Sequence, residues 1–133
     1  MAEHPEWVVD QKAYPVWQAP DQSRKVNLQV SKQTCGADHL SAGLFWLAPG
    51  HQTQADIHPD AEEIYYVVSG SGLLVMDEEE FRVEEGMTVF IPAGVEHQSF
   101  NDGIAELCYF YAFGPQPAGP PKQEEQGWIK LSR

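Results

Sequence analysis

Apolar and polar residues alternate, or gather in short apolar blocks, along most of the chain, and almost nowhere with a helical period. Val26 to Val30 (VNLQV) alternates. Leu40 to Ala48 (LSAGLFWLA) is a longer apolar strand stopped by Pro49-Gly50. Thr53 to His58 alternates, which puts Gln54, Asp56 and His58 on one face. Glu63 to Ser69 reads as an aromatic and β-branched strand, and after the Gly70-Ser71-Gly72 turn Leu73 to Met76 returns. Asp77 to Glu80 (DEEE) is a solvated hairpin tip, and Phe81-Arg82-Val83 pairs back. Glu85-Gly86 leads into Met87 to Ile91, Pro92-Ala93-Gly94 breaks that strand, and His97 to Phe100 follows. Asn101-Asp102-Gly103 turns, and Ile104 to Phe113 closes the series. Short strands at this spacing, punctuated by Gly, Pro and Asn, predict an all-β sandwich or barrel with no helix.

The flanks read differently. Gly114 to Pro121 (GPQPAGPP) is a Pro/Gly-rich segment, expected to be extended or loosely ordered. Trp128 to Leu131 is a candidate final strand. The N-terminal arm carries Trp7, Tyr14 and Trp17, aromatics expected to pack on their own barrel or on a second subunit. One domain over residues 1–133 is expected, with its core at about 26–113, an arm at 1–25 and a C-terminal segment at 114–133.

Charge narrows the partners. Eight Lys and Arg face 20 Asp and Glu, a net charge of −12. That balance argues against nucleic acid and anionic membrane, which both need a basic face. No apolar run approaches the length of a membrane span, and MAEHPEWVVD lacks the basic and apolar segments of a secretory leader, so a cytoplasmic location is expected. Cys35 and Cys108 are expected to be separate thiols.

The chemistry gathers around four polar residues. Asp56 and His58 share a strand face, Glu63 opens the next strand after the Pro59-Asp60 turn, and His97 opens a later one. Two carboxylates in an apolar barrel cannot both stay ionised without a counter-charge. No Lys or Arg of the neighbouring segments supplies it, since Arg82 lies on the hairpin flank. Two imidazoles and two carboxylates from three strands suit a divalent cation.

These residues fall into two spaced motifs. The first is Gly50-HQTQA-Asp56-Ile57-His58-PDAE-Glu63-IYYVVS-Gly70. The second is Gly86-MTVFI-Pro92-Ala93-Gly94-VE-His97-QSF-Asn101. Together they resemble the paired motifs of a small single-domain cupin of the conserved-barrel type, at every fixed position but Asp56, where the family usually has histidine. The resemblance implies a double-stranded β-helix (jelly-roll) barrel of two antiparallel sheets, a central metal and a homodimer. It carries His58, Glu63 and His97 over as metal ligands. Asp56 can join them, and its harder oxygen shifts the expected ion toward Fe, Mn, Ni or Co, with Zn still able to bind. Gly70, Gly86 and Gly94 are expected at turns of positive φ, and Asn101 to tie down a turn.

Inside such a barrel, Phe45 or Trp46, Tyr65 or Tyr66, Phe90, and alternate members of Tyr109-Phe110-Tyr111 would line the pocket. The substrate-pocket set is read as Trp46, Tyr65, Phe90, Ser99, Tyr109 and Tyr111, with Tyr65 inward beside Glu63 and Ser99 beside His97. Such a pocket suits a small organic substrate able to chelate the metal. Asp56 is a candidate general base and Tyr65 a candidate acid or hydrogen-bond donor. The leading expectation is a metal-dependent enzyme of dioxygenase, lyase, isomerase or cyclase type. The alternatives are a non-catalytic small-molecule or sugar-binding module, and a metal-free enzyme with His58 or His97 as base.

Overall fold

The computed structural model describes residues 3–116 and 126–131. Ten strands run along the chain: β1 (Trp17–Gln18), β2 (Arg24–Val30), β3 (Ser41–Leu47), β4 (Glu62–Ser69), β5 (Ser71–Met76), β6 (Glu79–Glu84), β7 (Thr88–Ile91), β8 (His97–Phe100), β9 (Leu107–Gly114) and β10 (Ile129–Lys130). They form two antiparallel sheets, β10-β1-β2-β3-β9-β4-β7 and β6-β5-β8, folded as a jelly-roll barrel as expected.

Strand alternation builds the core. The register aligns Leu47 with Leu107 and Val67 with Tyr109, and these side chains face Leu74 and Val83 of the smaller sheet. Leu47, Val67, Leu74 and Leu107 are fully buried, each contributing roughly 1.5–3 kcal/mol of apolar transfer. The intervening residues of β4, Ile64, Tyr66 and Val68, stand on the outer face and remain substantially exposed. This core fills one end of the barrel and leaves the other end open.

Asn101 locks the core end. Its amide donates to the carbonyls of Leu47 (2.8 Å) and Ala105 (2.9 Å), and its Oδ1 accepts from Gly103 N–H (3.0 Å). The side chain is 2% exposed, so Asn101→Ala would strand buried carbonyls. A loss of about 2–4 kcal/mol is expected, read as a fall in the urea midpoint.

Several expectations need correction. Thr53 to His58 is not a regular strand; it meets β8 at an isolated bridge, Asp56 with His97, and through Thr53 N–H to Ser99 O at 2.9 Å, just after the Gln52–Phe100 bridge. There the Thr53 hydroxyl accepts Ser99 N–H, and the Gln98 amide donates to Thr53 O, so side chains complete a broken ladder. A one-turn helix, α1 (Lys32–Cys35), was not expected. A reciprocal Ser31–Thr34 capping box starts it and Gly36 in the left-handed region ends it. Closure at β9 begins at Leu107, leaving Ile104 fully exposed. The DEEE tip is a two-residue turn, Asp77-Glu78, both at positive φ; Glu79 and Glu80 continue into β6.

The flanks are partly drawn into the barrel. Trp128 to Leu131 does supply a final strand, β10, which pairs with β1 of the arm. Trp17 sits in β1 and Tyr14 reaches Thr34 O, but Trp7 is 71% exposed and stacks only on His4. Of the GPQPAGPP segment, Gln116 is tied to Ala37, His39 and Leu40 carbonyls, and residues 117–121 lie outside those described. Cys35 and Cys108 are both free thiols; burial pushes Cys108 up to about 11. Among the described residues no helix is long and apolar enough to cross a membrane.

Candidate functional site

Backbone pairing brings the two motifs together at the open end of the barrel. Asp56 and His97 exchange both backbone hydrogen bonds at 2.9 Å, and Gly94 N–H donates to His58 O at 2.9 Å. Gly94 makes that approach at φ +82°, a conformation glycine adopts freely. Glu63 enters from a third direction. It is an inward residue of β4, paired with Ile91 on one side and Phe113 on the other. Its neighbour Glu62 is exposed, while Glu63 is 6% exposed.

The four side chains converge. Glu63 Oε1 lies 3.3 Å from His58 Nε2 and 3.4 Å from His97 Nε2, and Asp56 Oδ2 lies 3.7 Å from His58 Nε2. Donor atoms of Asp56, His58 and His97 all fall within 4.8 Å of one another. Ligands bound at about 2.0–2.2 Å around one ion stand roughly 3–3.5 Å apart; the two Glu63 spacings match that, and the Asp56 spacing is slightly longer. The His97 Nδ1 faces Val95 O at 3.0 Å. Only an N–H complements that carbonyl, which leaves the Nε2 lone pair directed at the cluster. The His58 ring is held by stacking on Phe113 at 5.3 Å.

One atom in this cluster lacks a partner. Glu63 Oε1 is buried without a hydrogen bond of good geometry, although two imidazole nitrogens stand close to it. Burial alone would raise the Glu63 pKa, yet His58 and His97 together outweigh it and hold the carboxyl below its usual range. Burial likewise opposes charge on His97, and contact with Glu63 overcomes it, so that imidazole moves upward. The two shifts are the two sides of one attraction between the carboxylate and the imidazoles. A divalent metal standing among these groups would take the place of the imidazolium charge and satisfy Oε1 directly.

A cavity of about 360 Å³ opens onto the cluster. Of the expected pocket residues, Tyr65, Ser99, Tyr109 and Tyr111 line it. Tyr65 stacks on Tyr109 at 4.5 Å and meets the His97 ring edge-on at 6.2 Å, while Tyr109 donates to Ser99 Oγ at 3.0 Å. Burial, reinforced by the Glu63 charge, raises Tyr65 well above the ordinary phenol range, and Tyr111 moves the same way. Both are neutral donors at physiological pH. Trp46 and Phe90 are not in the cavity. Strand parity turns Trp46 outward, under the Lys25 ammonium at 5.5 Å, and puts Phe45 inside. Phe90 is 54% exposed because Val89 and Ile91 pair with the inward residues Tyr65 and Glu63.

Sequence reasoning missed Arg24, Phe113 and Trp128, which also line the cavity. For Arg24 the signal was present: alternation continued backward from Val26 puts it on the inward face. For Trp128 there was none, since only the β10–β1 pairing brings it there.

Residues 43–113 match the family model described as "Cupin domain". The protein MJ1618 of Methanocaldococcus jannaschii, described as uncharacterized, is 41% identical over 65 residues, 47% of this chain and 52% of that protein. The chain therefore spans about half the length of that relative. "Polyketide synthase CurC" of Streptomyces cyaneus is 28% identical over 103 residues, 76% of this chain and 67% of that protein. A crystal structure described as a predicted oxalate decarboxylase from Thermotoga maritima superposes with a TM-score of 0.71 at 19% identity, covering 82% of this chain and 99% of that one. Its likeness is one of fold alone. With the family model covering more than half of its length, the chain belongs to the cupin family.

Proposed function

We propose that this cupin is a metal-dependent enzyme that moves a proton on a small β-dicarbonyl or acyl-phenol substrate, in the manner of an isomerase, lyase or cyclase. The observation that carries this reading is Glu63 Oε1, buried without a hydrogen-bond partner between the Nε2 atoms of His58 and His97. A divalent transition ion held by His58, His97, Glu63 and Asp56 would supply Lewis acidity toward a substrate oxygen. The relative named as a polyketide synthase supports the substrate class.

The chain's own residues divide the remaining work. Asp56 becomes the proton acceptor where substrate oxygens take its place beside the ion: its carboxylate is half exposed, with Oδ1 held by Ile57 N–H at 2.9 Å and Oδ2 toward the cluster. Tyr65, a neutral phenol, donates a hydrogen bond to enolate oxygen as charge develops there. Phe45, Tyr109, Tyr111 and Phe113 supply a wall that stacks on a planar substrate and keeps water away.

The test follows deuterium exchange at the acidic C–H of ethyl benzoylacetate in D₂O by NMR. Protein purified without chelator is expected to hold about one equivalent of transition metal, and to speed exchange over free metal alone. Asp56→Asn should slow that exchange by about 100-fold. Metal well below one equivalent, with no stabilisation on adding it, would dismiss the metal. Background exchange by metal-loaded protein would dismiss the proton transfer, and O₂ uptake in the same sample would favour a dioxygenase.

A further inference from the structure

We infer that Arg24 forms a carboxylate-binding subsite at the end of the cavity away from the His58–Glu63–His97 cluster. The substrate class is then an elongated aromatic acid, with its chelating oxygens at one end and its carboxylate at the other. This deepens the proposed function and rests on it for the chelating end.

Arg24 lies on β2 and lines the cavity together with Val26 and Leu28, its neighbours on the same strand face. The ladder places it opposite Leu47, which is opposite Leu107, whereas Glu63 is opposite Phe113. Six residues along β9 separate those levels, so the guanidinium and the cluster meet the cavity at different depths. One molecule touching both ends must therefore be long.

The guanidinium is held through Nε, with the Asp21 carboxylate one hydroxyl away on that side. Its Nε donates to Ser23 Oγ at 3.2 Å, and that hydroxyl, 3% exposed, donates to Asp21 Oδ1 at 2.6 Å. The Trp128 ring covers the group, its centroid 5.1 Å from Cζ. Among the described residues no carboxylate lies within ion-pair distance of Arg24, whereas Lys25 pairs with Glu106 at 3.1 Å and Arg82 with Asp102 at 2.6 Å. Those two cations are spent at the surface. Among the described residues lining the cavity Arg24 is the one Lys or Arg, and its terminal nitrogens have no described partner. A planar fork oriented through Nε and backed by an indole suits bidentate capture of a carboxylate.

The test compares two probes on the zinc-loaded full chain by isothermal titration calorimetry. Rhein is a dihydroxyanthraquinone bearing a carboxylate. Aloe-emodin is the same ring system with a neutral hydroxymethyl in its place. Rhein is expected to bind about tenfold or more tightly than aloe-emodin. Arg24→Gln should remove that preference and change aloe-emodin affinity by less than about twofold. Arg24→Lys should retain part of it, which separates charge recognition from damage to the fold. Equal affinity of the probes, undetectable binding of rhein, or a preference that survives in R24Q overturns the subsite. Repeating the titrations after EDTA treatment separates the two readings. Weaker binding of both probes with their ratio intact supports both. Unchanged affinities with the ratio intact would sink the metal and leave the carboxylate subsite standing.

Discussion

Replacing His97 by alanine is expected to abolish stoichiometric binding of divalent metal and to erase the metal-dependent rise in melting temperature. The imidazole is 4% exposed, with Nδ1 fixed on Val95 O and Nε2 3.4 Å from Glu63. It is thus a rigid donor already aimed at the cluster. Its removal leaves the Glu63 carboxylate buried beside a single imidazole, so the remaining groups no longer compensate the cost of a bare ion. An ion present at a hundred times its Kd stabilises a protein by about 2.7 kcal/mol, because it binds only the folded chain. For a domain of this size that is a rise of about 10 °C. Thermal melts with zinc, with manganese and with EDTA, beside metal analysis of each sample, make the comparison. A variant that still gains the wild-type shift would show that the ion does not sit on His97.

Gly70→Ala is expected to destabilise the fold by about 3–5 kcal/mol, with a fall in melting temperature of more than 10 °C. Gly70 is the single residue between β4 and β5, where the chain leaves the larger sheet for the smaller. It sits at φ +82°, and a Cβ there would meet Glu106 O at 2.5 Å and Leu107 Cα at 3.0 Å. Both are backbone atoms that cannot rotate aside. Gly94→Ala is the control. Gly94 has the same φ, but a Cβ there meets nothing within 4 Å, so only the conformational cost of about 1 kcal/mol applies. Equal losses in the two variants would refute the steric account.

Legibility differed between the two ends of the barrel. His58, Glu63, His97, Gly94 and Asn101 were readable because each occupies a fixed position of the two spaced motifs that resemble those of cupins. Tyr65, Ser99, Tyr109 and Tyr111 followed by parity from those anchors. Trp46 and Phe90 went astray where no inward anchor was used: in each case the residue beside it on the strand faces the interior. Thr53 to His58 has the alternation of a strand, but alternation cannot show that Thr53 and Gln98 side chains stand in for part of the ladder. The capping box of α1 was in plain view as Ser31 and Thr34, and a one-turn helix is too short for periodicity to reveal.

The amino-acid sequence alone determined the all-β architecture, the residue types able to hold a metal and the turns between strands, because these depend on local period, on side-chain chemistry and on which residues tolerate positive φ. Only the tertiary structure decided that Asp56 stands half exposed, that Glu63 Oε1 is left without a hydrogen bond, and that Arg24 meets Trp128 at the cavity's far end. Those facts depend on burial and on pairing between segments distant in the chain. Neither is encoded at any single position; both emerge when the two sheets close on one another.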